Sequence, residues 1–310
     1  MRIAILGATS QIAKDLILSF SVQGIHSLTL FARQPASVSL WLEKVGMSGR
    51  HAVADFDSFD AGQQFDAIMN FVGVGNPAQA AAMGASIFDI TLKYDSMALD
   101  YQSKHPDCRY LFLSSGAAYG LGFEKPVDEN SKAVVAINQL QPQNWYAVAK
   151  LHAECRHRSL VHRPIIDIRV FNYFSHTQDI SARFLITDIL RAIRDGEVLK
   201  TSNDYIVRDF LHPTDFHQLV DRLLGAPAAN MAIDCYSKAP VDKPALLAFM
   251  HEKFGLEYKV VEAITSVNAT GNKPHYYSLN RRAADFGFHP DFTALEGVSR
   301  EASLMLRQKH

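Results

Sequence analysis

The sequence is short of cysteine: there are three, Cys108, Cys155 and Cys235, among 310 residues. They neither fall at the spacing of a zinc site nor form the even set of a disulfide framework, which fits a reducing compartment and predicts no metal. An excess of either charge is also missing. A net charge of −1 removes the general electrostatic attraction that a nucleic-acid-binding or membrane-surface protein relies on. No apolar run approaches the roughly 20 residues of a membrane span. The N-terminal MRIAILGATS has no signal-peptide layout, because its apolar run breaks at once into a glycine turn. Internal repeats and low-complexity tracts are absent. The expectation is a soluble cytoplasmic protein with neither a nucleic-acid nor a membrane partner.

What is present is alternation. Ile3 to Leu6 reads as a short buried strand, and Ile12, Ala13, Leu16, Ile17 and Phe20 then recur at helical spacing. Ser27 to Ala32, His51 to Ala54, Ala67 to Val72, Tyr110 to Leu113 and Ile165 to Val170 read as further strands. Helical patterns between them include Ala80 to Gly84, Asp95 to Lys104 and Trp145 to His162. Continuously apolar strands alternating with helices predict an α/β fold with a doubly wound, Rossmann-like parallel sheet covered on both faces. Ligands of such sheets bind beyond the carboxyl ends of the strands. Those ends carry GATSQIA, ARQ, ADFD, NFVGVGNP and SSGAAYG, mostly glycine-rich or polar segments.

GATSQIA joins the first strand to the first helix. Gly7 permits the tight turn, and the helix start over Thr9, Ser10, Gln11 and Ile12 offers free N–H groups and a partial positive charge to a pyrophosphate. Two glycines of the usual dinucleotide turn are replaced, by Ser10 and Ala13. Alanine still allows close helix–strand packing. Ser10 either donates its hydroxyl to phosphate or caps the helix. Arg33 follows the second strand, where an NAD-binding chain would carry an acid for the ribose 2′-hydroxyl. An arginine there suits a 2′-phosphate, so NADP(H) is favoured over NAD(H).

The chain resembles the extended short-chain dehydrogenase/reductases of the NAD-dependent epimerase/dehydratase family, which act on nucleotide sugars. The resemblance rests on LFLSSGAAYG at 111–120, YAVAK at 146–150, RVFNYF at 169–174, RDFLHPTDF at 208–216 and SLNRRAADFGFHP at 278–290, in the family's order. It implies Ser115 as the catalytic hydroxyl, Tyr146 as acid and base, and Lys150 as its partner, also touching the cofactor. Asp55 would meet the adenine, Phe71, Val72 and Gly73 would line the cofactor, and Asn172 and Arg208 would hold the substrate, Arg208 through its diphosphate. The spacing agrees: residues four apart share a helical face, and an ammonium there is expected to lower the Tyr146 phenol from about 10.

Departures narrow the chemistry. Thr91 stands where family members commonly have Asn, and TGNKPHYY offers only Lys273 where an arginine usually grips the diphosphate. Gly116, Ala117 and Ala118 follow Ser115 where 4,6-dehydratases carry an Asp-Glu pair, which argues against dehydration. Two redox outcomes remain: NADPH-dependent reduction of a keto-sugar, which Arg33 favours, or epimerisation with tightly held NAD. A non-catalytic dinucleotide-binding protein is the third reading, disfavoured because Ser115, Tyr146 and Lys150 are all retained.

The resemblance implies two lobes: a dinucleotide domain over 1–170, to which part of 204–235 returns, and a smaller substrate lobe over 171–310. Phe184 to Arg194, Asp215 to Leu224 and part of Pro240 to Phe254 read as helices, and Tyr258 to Glu262 as a short strand. Within RDFLHPTDF, the structural alternative is an ion pair between Arg208 and Asp209, with His212 buried and hydrogen-bonded. The resemblance implies a homodimer in which apolar residues on helices 95–104 and 145–162 meet a second subunit, while Met97, Leu99 and Tyr101 equally suit an ordinary core.

Overall fold

The computed structural model describes all residues except 75–79, 81, 121, 263–272 and 308–310. Position 81 of the helical pattern at Ala80 to Gly84, residues 75–77 of NFVGVGNP and residues 270–272 of TGNKPHYY therefore lie outside the described residues.

Seven strands form the central sheet: β1 (Arg2–Leu6), β2 (Ser27–Phe31), β3 (Ala52–Ala54), β4 (Ala67–Asn70), β5 (Arg109–Ser115), β6 (Ile165–Val170) and β7 (Asn230–Asp234). Their spatial order is β7-β6-β5-β4-β1-β2-β3, and every neighbouring pair is parallel. The order reverses between β1 and β4, so a crevice opens beyond their carboxyl ends. The strands are apolar on both faces because both are covered. Ile3, Ile5, Met69 and Leu111 pack into one layer, and Ala4, Leu6, Ile68 and Phe112 into the other.

Helix α1 (Gln11–Gln23) covers the first layer through Ala13, Leu16, Ile17 and Phe20. It stops at Gly24, whose φ of 72° lets its N–H reach back to the Phe20 carbonyl. α2 (Pro35–Lys44) follows β2, with proline in its first turn. α3 (Ser86–Lys104) and α4 (Trp145–Ser159) pack side by side on the other face. Leu99 and Tyr101 of α3 are buried core residues, while Met97 is only partly buried.

The chain after β6 builds α5 (Leu185–Asp195), α6 (Pro213–Gly225), α7 (Lys243–Phe254) and α8 (Ala294–Arg307), with short strand pairs between them. α6 packs on α1, and β7 extends the central sheet. A separate core gathers Ile189, Leu190, Leu246, Leu247, Met250 and Val298. His212 caps α6 through the Thr214 N–H and meets Glu301 of α8 at 3.0 Å.

Candidate active site

Gly7 is the tightest point of the crevice. Its φ is 81°, and a Cβ added there would lie 2.8 Å from the Val72 nitrogen and 2.9 Å from the Phe71 carbonyl carbon. The turn after β1 and the loop after β4 touch backbone to backbone, which only glycine allows. Gly7→Ala is expected to lower thermal stability, and to weaken dinucleotide binding by shifting the β4 loop. Strain at such a position costs on the order of 1–3 kcal/mol, readable by calorimetry and by cofactor titration.

The α1 N-terminus fits a phosphate. Ser10 occupies the cap position, but its side chain makes no capping bond, and no acid lies in the first turn. The reading of Ser10 as a side-chain cap is thus not realised, and its hydroxyl is left for another partner. Among the described residues Gln11 Nε2 is buried and has no partner, an orphan donor that a bound group would satisfy. Phe71 is buried, its N–H donating to the Leu6 carbonyl at 2.8 Å, and the Val72 N–H donates to Asn70 Oδ1 at 2.9 Å. Asp55 is exposed and ends the β3 segment as the cap of a short turn. Its carboxylate accepts from Ser58 N and Oγ, which hold it below the usual carboxylate range.

Ser115 ends β5. Its Oγ accepts from the Ala117 N–H at 3.2 Å and lies 3.1 Å from Tyr276 Oη. Lys150 and Tyr146 come from one face of α4. The Lys150 ammonium donates to the Leu113 carbonyl at 2.7 Å and sits 5.9 Å from the Tyr146 ring centre. A Cβ on Gly73 would lie 3.5 Å from Nζ, so the ammonium also borders the β4 loop. Ser115, Tyr146, Lys150 and Gly73 thus converge at the strand ends, with the α1 N-terminus on the other side of Gly7.

The expected lowering of the Tyr146 phenol is not found. Burial raises it, and the Ser115 hydroxyl beside it only partly offsets this. The ammonium is turned toward a main-chain carbonyl, and burial brings it down to about 8 against the pull of Glu154, Asp167 and Asp95. Desolvation is the largest cause for both groups.

Asn172 reaches the Asp209 and Tyr276 carbonyls at 3.5 and 3.4 Å. Arg208 is buried and makes no ion pair with Asp209, whose carboxylate instead accepts from the Ser237 N–H. Its Nη1 donates to the Val207 and Lys273 carbonyls, both at 2.8 Å, and burial lowers it to about 10. The Lys273 ammonium lies 4.6 Å from the Tyr276 ring centre, brought down to about 8 by burial and by the charge of Arg208. Among the described residues neither cation has a carboxylate partner. Arg208 is buried and Lys273 half-buried, and two neighbouring cations without a carboxylate are what an anion would match. Tyr276, which joins this site to Ser115, is not recognised from the sequence, since nothing local marks it among the tyrosines of HYYS. Thr91 spends its hydroxyl on the Ile87 carbonyl of its own helix at 2.7 Å.

Fold and turn together define a doubly wound dinucleotide-type protein. A sequence model of the NAD dependent epimerase/dehydratase family matches residues 3–234, and the chain belongs to that family. No curated protein matches it. Among solved structures it is similar to a dTDP-glucose 4,6-dehydratase from Bacillus anthracis in complex with NAD, at 15% identity and a TM-score of 0.79, covering 100% of this chain and 97% of that one. A UDP-glucuronic acid 4-epimerase from Bacillus cereus, bound to NAD and a fluorinated UDP-glucuronic acid, gives 15% and 0.79 over 100% of both chains. A UDP-glucose 4-epimerase from Thermotoga maritima with UDP-glucose gives 15% and 0.78 over 99% of both. These identities speak to the fold alone.

The preference for NADP(H) is overturned. The family is NAD dependent, and the dehydratase and glucuronic acid epimerase structures hold NAD. Arg33 is exposed, and among the described residues no hydrogen bond or ion pair aims it at the turn. An arginine free in solvent is not evidence for a 2′-phosphate.

Proposed function

We propose that this protein is a nucleotide-sugar epimerase that keeps its NAD through the catalytic cycle. The observation that carries the reading is the arrangement around Tyr276: the Ser115 hydroxyl on one side, and the acid-free cations Arg208 and Lys273 on the other. A nucleotide diphosphate neutralises the cations, and the attached sugar then reaches the hydroxyls. Asn172, at the junction with residues 171–310, borders the same space. Bound NAD supplies the hydride acceptor and donor.

In this reading Tyr146 takes the proton from the sugar hydroxyl as the carbon is oxidised and returns it to the keto oxygen later. Ser115 holds that oxygen by a hydrogen bond, and Lys150 stabilises charge beside Tyr146 and the cofactor. The turn over Gly7, Thr9, Ser10, Gln11 and Ile12 cradles the pyrophosphate, Phe71, Val72 and Gly73 border the cofactor, and Asp55 approaches the adenine. Elimination of water is disfavoured: Gly116, Ala117 and Ala118 carry no acid beside Ser115, and a Cβ on Gly116 would meet Phe171 Cδ1 at 2.3 Å. A homodimer, with α3 and α4 adjoining their counterparts, belongs to the same proposal.

The test is to release and identify the cofactor carried through purification, then follow a panel of UDP- and dTDP-sugars by proton NMR. Retained NAD and an equilibrating pair of epimers support the reading. Stoichiometric accumulation of NADH or NAD with a single oxidised or reduced product would replace it with a net redox reaction. A narrower check concerns the diphosphate. Arg208→Gln is expected to weaken UDP binding by about 10- to 100-fold in calorimetry, the loss of hydrogen bonds to a charged group. Unchanged UDP affinity would remove Arg208 from the substrate site.

A further inference from the structure

Ser115 and Tyr276 lie 161 residues apart in sequence, yet their hydroxyl oxygens are 3.1 Å apart and buried. Three features hold Tyr276 there. Its strand pairs with Val207–Arg208, Asn172 Nδ2 donates to its carbonyl, and its ring packs on Phe123 and Phe171 at 4.8 and 5.2 Å between centres. This contact is built in, and it bears on what Ser115 can do.

A serine hydroxyl has one proton to give and two lone pairs with which to accept. The Ala117 N–H occupies one lone pair of Ser115. Tyr276 Oη then takes either the second lone pair or the proton. A phenol is a better donor than an alkyl hydroxyl, because its ring draws charge from the oxygen. Burial raises the Tyr276 phenol overall, so it keeps its proton to donate, and Arg208, 6.0 Å from the ring centre, offsets only part of that rise. With both lone pairs filled, the remaining Ser115 proton points to Tyr146 and the substrate oxygen.

We propose that Tyr276 is a positioning residue: it donates to Ser115 and so fixes Ser115 as a hydrogen-bond donor toward the reacting oxygen. A donor is what the oxygen of a keto-sugar requires, since a carbonyl can only accept. Tyr276 keeps its proton throughout, and no proton crosses it. The consequence for turnover rests on the epimerase reading, whereas the direction of the hydrogen bond does not.

Two measurements test it. Neutron diffraction from deuterated crystals of the full chain locates hydroxyl protons directly. Deuterium on Tyr276 Oη facing Ser115 Oγ is expected. Deuterium on Ser115 facing Tyr276 would overturn the assignment whatever the reaction is. The second is a double-variant cycle on a nucleotide sugar that the wild type converts. Tyr276→Phe is expected to lower kcat about tenfold, the worth of one hydrogen bond, with KM and UDP affinity unchanged. Because Tyr276 acts through Ser115, Ser115→Ala/Tyr276→Phe should be no slower than Ser115→Ala alone. Multiplying losses, or a loss seen only in KM, contradict the positioning role. Wild type that converts no sugar in the panel is a failure of the epimerase reading, and the neutron result then decides Tyr276 alone.

Discussion

Tyr146→Phe is expected to lose about 10²- to 10⁴-fold in turnover, the range for removing a positioned acid–base group, while NAD stays bound and the fold stays intact. The substitution deletes one hydroxyl from a half-buried ring and leaves α4 packed as before. The accompanying pH profile follows from Lys150. Its ammonium is held at about 8 by burial, so the charged form is lost as pH rises through that value. If the charged form supports Tyr146, kcat falls on the alkaline side with an apparent pKa near 8. Lys150→Arg, which cannot lose its proton in this range, should move that limb upward. A rate that is flat through pH 8 to 9.5 would show that the ammonium is not the working form.

The second large effect is on stability. His157, on the same helix, is fully buried between two carboxylates, with Nδ1 2.6 Å from Asp167 and Nε2 2.7 Å from Asp95. Burial alone would lower its pKa, but hydrogen bonds and charge from Asp167 and Asp95 more than offset this and raise it to about 9. Arg156 and Arg158 pair with the outer oxygens of the same carboxylates. The folded value lies above the ordinary 6.5, so the stability His157 contributes is fully present below pH 6.5 and is lost as pH rises through about 9. The shift corresponds to about 3 kcal/mol. His157→Gln is expected to lower stability by about 3–5 kcal/mol at pH 7, because it leaves buried charges uncompensated. Urea unfolding at pH 6.5 and 9.5 checks the sign: the gap between wild type and variant should shrink at high pH. A gap independent of pH would mean that the ring matters only for packing.

This cluster also connects to the site. Tyr110 Oη donates to Asp95 at 3.0 Å and receives Asn70 Nδ2 at 3.0 Å, while Asn70 Oδ1 holds the Val72 N–H of the β4 loop. Glu154, one turn beyond Lys150, binds Ser114 and Arg169, and Arg169 reaches toward Asp234 of β7. The buried side of α4 therefore carries Lys150, Glu154 and His157 beside its alanines, and the charges that fix the helix also surround Lys150.

How far the sequence revealed this depends on where each signal is stored. The parallel sheet was legible because strands covered on both faces are largely apolar, as in Ile3–Leu6 and Tyr110–Phe112. α5, α6 and α7 begin and end within three residues of the apolar patterns that announced them. α2 was missed because only Val38 and Leu42 of it are buried. α8 was missed because Ala294, Gly297, Val298, Ser299 and Ala302 make a stripe of mostly small residues. Ser115, Tyr146 and Lys150 were legible through motif order. Arg33 misled because an exposed side chain carries no record of its partner. Tyr276 was invisible, since its meaning comes from a distant pairing with Val207–Arg208. His157 stood in plain sight on α4, but its partners lie 62 and 10 residues away.

In the epimerase reading, hydride leaves the sugar and returns to it within one enzyme-bound cycle. The most direct test converts a nucleotide sugar from the panel that carries deuterium at the reacting carbon, without added cofactor. The label is expected to stay on that carbon in the epimerised product, with no exchange into solvent. Loss of the label, or a product formed only as added NADH or NAD is consumed, would contradict it.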